Sequence, residues 1–389
     1  MKTLAIALAL STMLTVKQRD ARRSNLDQPT SAVSADGRFI AFVTYSQLAP
    51  ADGDKGSDVY VLDRARQHAT LESASTGQPA VDSHHPGISG DGRYLVYERA
   101  GVILLGDRKD NVTKILAMGH QPSITANGRA VVFTAGSFDR VTGVDANGPR
   151  DDVYSIDLFS GQAQRVSVDL HGMDQSLTAS VTPSVSTDGR YVAFSSRLPF
   201  EGGRAHEPQI FVRDTQLNVT KLVAAGWRPS ISGDGRFVAF VGRVSRLPHI
   251  FLADLQTGAT RIITKSVRRG FANGASANPR LSADGRFIAF QSEASDLVAA
   301  EDFNLLWDVF VFDRTTDTMA RVSGDPDGVW MEPSGGPSID ARGSVVAFSS
   351  RHPTDVSDKQ NDFDLYVAAI RVSHASTQRR GVTDLHGGS

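Results

Sequence analysis

One twelve-residue phrase returns seven times along this chain, and no other feature constrains the fold as tightly. Its clearest copies are PSISGDGRFVAF (229–240), PSVSTDGRYVAF (183–194) and PRLSADGRFIAF (279–290). Looser copies are SAVSADGRFIAF (31–42), PGISGDGRYLVY (86–97), PSITANGRAVVF (122–133) and PSIDARGSVVAF (337–348). The turn residue falls at Asp36, Asp91, Asn127, Asp188, Asp234, Asp284 and Arg342, an average spacing of about 51 residues. Each unit then carries a second apolar run that usually ends in Asp, such as DVYVLD (58–63), QIFVRD (209–214) and DVFVFD (308–313). A third run follows a tight turn, as in TKLVA and TRIIT. With the stretch before the Asp-Gly turn, each unit holds four strands, A to D. Four antiparallel strands per repeat make one propeller blade. The predicted fold class is therefore all-β: a seven-bladed β-propeller of four-stranded antiparallel blades.

Strand chemistry agrees. In Arg236-Phe237-Val238-Ala239-Phe240-Val241 both alternating sets are apolar, as expected when both faces of a sheet are covered. The A–B turn is Asp-Gly or Asn-Gly in six copies, because a two-residue hairpin turn needs positive φ.

At 389 residues the chain could hold two or three domains, but seven units of this period occupy nearly all of it. A net charge of −2 and no basic block argue against a nucleic-acid partner. The absence of cysteine removes disulfides, thiol catalysis and Cys-ligated zinc. Met1-Lys2 and an apolar run from Leu4 to Leu14 have the shape of a secretory leader, too short to span a bilayer. Residues 1–20 are thus expected to be a signal peptide or hydrophobic segment, 21–375 the propeller, and 376–389 a disordered tail. The expected location is periplasmic or extracellular. Ala21-Arg22-Arg23-Ser24 resembles Ala320-Arg321-Val322-Ser323, so a strand near 21–25 is predicted to close blade seven, the stretch after Ile370 being the alternative donor.

In such a blade the A–B and C–D turns share one face, and the B–C and D–A loops share the other. The first set is uniformly short here; the second carries nearly all the length variation. Loops on a rigid scaffold carry function disproportionately, which places a binding surface on the B–C/D–A face. Residues just before each A strand should ring the channel mouth there: His84, His85, His120, Gln121, Thr182, Trp227, Arg228, Asn278 and Gly336. A polar ring of this kind suits a small polar ligand or a peptide end; a water-filled rim is the plainer alternative. His84 and His85 are adjacent in a strand and point apart, which disfavours one shared metal.

Four B–C loops repeat an acidic spacing: Asp52, Asp54 and Asp58; Asp145, Asn147 and Asp151; Asp302, Asn304 and Asp308; Asp358 and Asp364. Oxygen ligands at this density fit calcium, the one candidate cofactor. Asx turns leading into strand C explain the same residues.

The motif P-S-[IV]-S-x-D-G-R-[FY]-[IV]-A-F followed by D-[VI]-[YF]-V-x-D resembles the WD40-like repeats of TolB-type propellers over roughly residues 28–370. The resemblance implies the fold, export and a role as an interaction platform. About thirty residues precede the first repeat, whereas TolB carries an α/β domain there, so TolB's own envelope role is not expected to transfer. No G-x-S-x-G elbow and no H-E-x-x-H occurs. A protein- or ligand-binding scaffold is the favoured expectation, its protein partner or small polar ligand unidentified. The alternative is a lyase or glycoside hydrolase with a site at the channel mouth, Arg228 holding the carboxylate of an acidic saccharide.

Overall fold

A computed structural model describes residues 6–9, 31–53, 55–73, 81–136, 138, 141, 148, 150–168, 179–197, 207–244, 246–300, 304–324, 331–352 and 364–372. Strand β1 is Ile6–Ala9. Blade one holds β2–β5 (Ser31–Val33, Phe39–Thr44, Asp58–Asp63, His68–Leu71) and blade two β6–β9 (Ser83–Ile88, Tyr94–Arg99, Val102–Asp107, Val112–Met118). Blade three holds β10–β13 (His120–Ile124, Ala130–Ala135, Asp152–Asp157, Ala163–Arg165) and blade four β14–β17 (Ser180–Val185, Tyr191–Ser196, Gln209–Asp214, Val219–Ala225). Blade five holds β18–β21 (Trp227–Ile231, Phe237–Val244, Leu247–Asp254, Thr260–Ile262) and blade six β22–β25 (Ser276–Leu281, Phe287–Ser292, Asp308–Asp313, Thr318–Arg321). Blade seven comprises β26–β28 (Ser334–Ile339, Val345–Ser350, Asp364–Val372) with β1 as its outer strand. The seven four-stranded sheets are those the repeat predicts.

Cross-strand aromatics fill the wedges. Phe42/Tyr60, Phe133/Tyr154, Phe194/Phe211, Phe240/Phe251, Phe290/Phe310 and Phe348/Tyr366 stack with ring centres 5.6–5.9 Å apart. Each is a directly opposed pair on strands B and C, the closest spacing a sheet offers.

The recurring Arg and Asp of the repeat build the A–B/C–D face. The Arg after each Asp-Gly reaches the Asp ending strand C: Arg38–Asp63, Arg93–Asp107, Arg129–Asp157, Arg190–Asp214, Arg236–Asp254 and Arg286–Asp313, at 2.6–2.8 Å. In five of these blades the guanidinium also lies over the next aromatic ring, 4.7–4.8 Å from its centre. That ring covers the turn glycine of the following blade, as Tyr191 covers Gly235. Beneath, backbone bonds run from blade to blade around the channel: Ala35 N–H to Gly90 O, Gly90 to Ala126, Thr187 to Gly233, Gly233 to Ala283, and Ala341 to Ala35. Small residues are required here; a Cβ on Gly233 would sit 2.3 Å from Thr187 Oγ1.

Among the described residues the outer strand of blade seven is N-terminal. Strand β1 pairs antiparallel with β28, Ile6 opposite Val372 and Ala9 opposite Ala369. Residues 21–25 lie outside the described residues. The likeness of 21–24 to 320–323 carried the sequence expectation; ladder pairing needs only an extended segment of the right reach, and 6–9 supplies it. Removing residues 1–10 should therefore lower the melting temperature by exposing the edge of β28. A truncated protein that melts unchanged would return the closing role to another segment, 21–25 first.

Candidate functional site

Six of the seven A strands contain the same bulge. Register shifts fall at His84/Gly87, His120/Ser123, Val181/Ser184, Trp227/Ser230, Ala277/Arg280 and Gly335/Ser338. At each bulge a residue at positive φ precedes a proline: His85 (50°), Gln121 (52°), Thr182 (56°), Arg228 (53°), Asn278 (52°) and Gly336 (62°). Proline has no N–H, so the extra residue leaves no stranded donor in the ladder. The residue before it is forced into a region that sterics resist, and a preceding-proline position resists it further.

These bulges bring the predicted ring together. His85, Gln121, Thr182, Arg228 and Asn278 line the mouth of a channel of about 310 Å³. His84 is exposed on the outer side of its strand, its ring 6.3 Å from that of His85. Trp227 stands just outside, half-buried, under the Arg243 guanidinium at 5.3 Å.

Two hydrogen-bonded arcs fix the ring. In the first, His85 Nδ1–H and His120 Nδ1–H each donate to Glu98 at 3.0 Å, and the Gln121 N–H donates to the same carboxylate at 3.3 Å. Gln121 Oε1 then accepts the Thr182 N–H at 3.0 Å, and Thr182 Oγ1 bonds Ser195 Oγ at 2.8 Å. Burial alone would push the Glu98 carboxyl up; the His85 and His120 hydrogen bonds outweigh it and hold it down at about 2. In the second arc Arg228 Nη1 donates to Asn278 Oδ1. Asn278 Nδ2 donates to Gln291 Oε1 at 3.0 Å, which also accepts the Gly336 N–H at 2.8 Å.

Glu98 and Gln291 were not among the sequence candidates; His120 was, beside Gln121 in the ring. The signal was present in the repeat. The position after the B-strand aromatic reads Val43, Glu98, Thr134, Ser195, Val241, Gln291 and Ser349, and the two residues with long polar side chains are the two hubs.

The described members of the acidic loops make contacts within the fold. Asp58 and Asp308 open strand C and accept a hydrogen bond from a serine two residues past strand D, Ser73 at 2.5 Å and Ser323 at 2.7 Å. Those serines in turn accept the Val59 and Val309 N–H groups. Asp364 is buried at the equivalent place in blade seven. Asn304 Oδ1 accepts the Leu306 N–H at 2.7 Å, an Asx turn. Asp52 accepts the Tyr60 hydroxyl at 2.7 Å and keeps one buried carboxylate oxygen without a partner. Asp151 is half-buried where blade three enters strand C. Asp54, Asp145, Asn147, Asp302 and Asp358 lie outside the described residues. Among the described residues no group of three or more His, Asp or Glu is arranged to hold a metal ion.

No family model matches the sequence, and no curated protein matches it. Solved structures do match. TolB from Acinetobacter baumannii shares 18% identity over 74% of this chain and 63% of its own, with a TM-score of 0.45. The chain thus spans less than two thirds of that protein. Oligogalacturonate lyase from Vibrio parahaemolyticus shares 13% over 94% of this chain and 98% of its own, with a TM-score of 0.57. The β-propeller domain of the Trilobed protease from Pyrococcus furiosus shares 10% over 87% and 94%, with a TM-score of 0.58. At these identities the likeness is one of fold, and the fold is the seven-bladed propeller expected from the repeat.

Proposed function

We propose that this protein is an exported binding scaffold that engages a protein or a small polar ligand through its B–C/D–A face, centred on the channel mouth. The observation that supports this reading is the ring of five non-glycine residues at positive φ. Each costs about 1–3 kcal/mol relative to a relaxed backbone, and such strain gathers where it holds a side chain in place for use. Blade seven relieves it with Gly336; the other five blades keep side chains that differ in size and polarity. The opposite end of the channel is ringed by small residues and pinned by backbone bonds, so the mouth is the end that presents varied chemistry.

Placement on the surface is testable with a photoreactive amino acid. At Trp227, beside the mouth, it should crosslink a binding partner in a cell-envelope extract. At Phe159, an exposed ring in the C–D turn of blade three, it should not. Crosslinks at Phe159 and none at Trp227 would reverse the choice of face.

Export rests on the leader-like N-terminus; among the described residues no helix is long and apolar enough to cross a membrane. Cleavage of residues 1–20 and use of Ile6–Ala9 as a strand exclude one another, so the N-terminal sequence of the mature protein decides which occurs.

A second reading, a lyase or glycoside hydrolase acting on an acidic saccharide, draws on the Arg228 guanidinium at the mouth and on the likeness in fold to a structure named oligogalacturonate lyase. Turnover of polygalacturonate by the purified chain, lost on Arg228→Ala, would favour it over the scaffold.

A further inference from the structure

One residue breaks the pattern of the channel wall. Two positions beyond the bulge, and at the matching place in blade one, each A strand puts one residue on the channel wall. In six blades it is small: Ala32, Gly87, Ser123, Ser184, Ser230 and Ser338. In blade six it is Arg280.

The small serines have a structural task that arginine cannot perform. Ser184 Oγ accepts the Ile231 N–H of the next blade at 3.1 Å, and Ser230 Oγ accepts the Leu281 N–H at 2.9 Å. An arginine has no acceptor to offer the next blade in the series. Arg280 also has no hydrogen-bond or ion-pair partner among the described residues. The other titratable groups lining the channel are His85, Arg228 and Asp340. His85 is held by Glu98. The Asp340 oxygens take the Ser344 N–H at 2.6 Å, the Ser344 hydroxyl at 2.5 Å and the Val345 N–H at 3.0 Å. Arg228 is a second cation. Removal from water lowers the Arg280 pKa to about 10, and Arg228 pushes the same way. A half-buried guanidinium with no acceptor among the described residues, beside another guanidinium, is unfavourable for the folded chain alone. A further unmet donor lies nearby: Gln291 Nε2 is buried without a partner while its Oε1 is doubly occupied by Asn278 and Gly336.

We propose that the channel is a receptor for a small carboxylic acid, its carboxylate pairing with Arg280 while Arg228 supplies a second positive charge at the mouth. Carboxylate is the ligand chemistry that a planar guanidinium recognises through two parallel N–H donors. The volume of about 310 Å³ admits an acid of sugar or citrate size and excludes a folded domain. This rests on the proposed use of the channel-mouth face, and narrows what enters the channel itself.

The test uses the full chain, calorimetry and thermal melts, with galacturonate, citrate, galactose and inorganic phosphate as probes. Wild type should bind galacturonate or citrate at millimolar concentration or below and melt higher in its presence, with no response to galactose. Galacturonate without citrate would assign an acidic sugar; citrate without galacturonate would assign a small polyacid. Arg280→Ser restores the residue found in blades three, four, five and seven. It should melt higher than wild type without ligand and bind the acid at least about tenfold more weakly, the loss of one charge-assisted pair. Three results would overturn the proposal: no carboxylate binding by wild type, unaltered binding by Arg280→Ser, or phosphate binding as strong as either acid. Because the crosslink at Trp227 is read separately, a partner captured there with no acid bound would sink the channel receptor and leave the scaffold standing.

Discussion

Gly235→Val should be among the most destabilising single changes in this protein, lowering stability by about 3–5 kcal/mol. Two costs combine. The backbone of Gly235 has φ of +74°, where a β-branched side chain is strained by about 1–3 kcal/mol. In addition, a Cβ there would lie 2.1 Å from the Tyr191 ring, over which the Arg190 guanidinium lies at 4.8 Å from the centre. Moving the ring disturbs the Arg190 contact, and with it the Arg190–Asp214 pair, or else pushes blades four and five apart. Overpacking of this kind costs about 1–3 kcal/mol more. Gly258→Val separates the two contributions, since Gly258 has nearly the same φ (+73°) and nothing within 4 Å of its would-be Cβ. Urea denaturation of both variants checks the account: Gly258→Val should show the strain alone. Equal losses would mean that the ring contact between blades contributes nothing.

That contact also shows how much of the molecule is legible in the chain. The turn, the strand count and the number of blades follow from spacing and from the Asp-Gly dipeptides. The pairing of the turn Arg with the Asp ending strand C was not read, although the repeat announces it. Blade seven loses both at once, with Ser344 for the Arg and Ala369 for the Asp. Five blades have an aromatic after the turn Arg position, blade seven has Val345, and blade three has Ala130, where the glycine of the next blade, Gly189, meets only Thr125 and Ala130, at 3.3 Å or more. The acidic loops illustrate the opposite difficulty. Asp58 and Asp308 recur because each caps a serine two residues past strand D, and a repeated cap has the same sequence signature as a repeated ligand. The mouth ring was legible because its residues hold one fixed place in the repeat, at the start of each A strand. Its supporting shell was not, because Glu98 and Gln291 act across blade boundaries on residues 22 and 45 positions away.

Glu98→Gln should weaken the protein at neutral pH by about 2–3 kcal/mol, and the difference from wild type should shrink as the solution is acidified. The Glu98 carboxyl is largely buried, yet the His85 and His120 donors keep it ionised to about 2, against an ordinary value of 4.5. A carboxyl whose folded value is depressed stabilises the fold above its unfolded value. That contribution is complete above pH 4.5 and disappears as pH falls towards 2. Glutamine keeps the shape but can accept on one oxygen only, so one histidine meets an N–H instead of an acceptor. Wild type will itself weaken over the same range. Asp63, Asp107, Asp157 and Asp254 on the far face are likewise held at about 2, chiefly by their arginines or, for Asp157, by the Ser160 N–H with Arg129 second. The informative quantity is therefore the gap between the two proteins. Denaturation midpoints at pH 7, 5, 4 and 3 should show it narrowing below pH 5. A gap that persists unchanged at pH 3 would show that shape, and not the charge on Glu98, holds blades two and three together at the channel mouth.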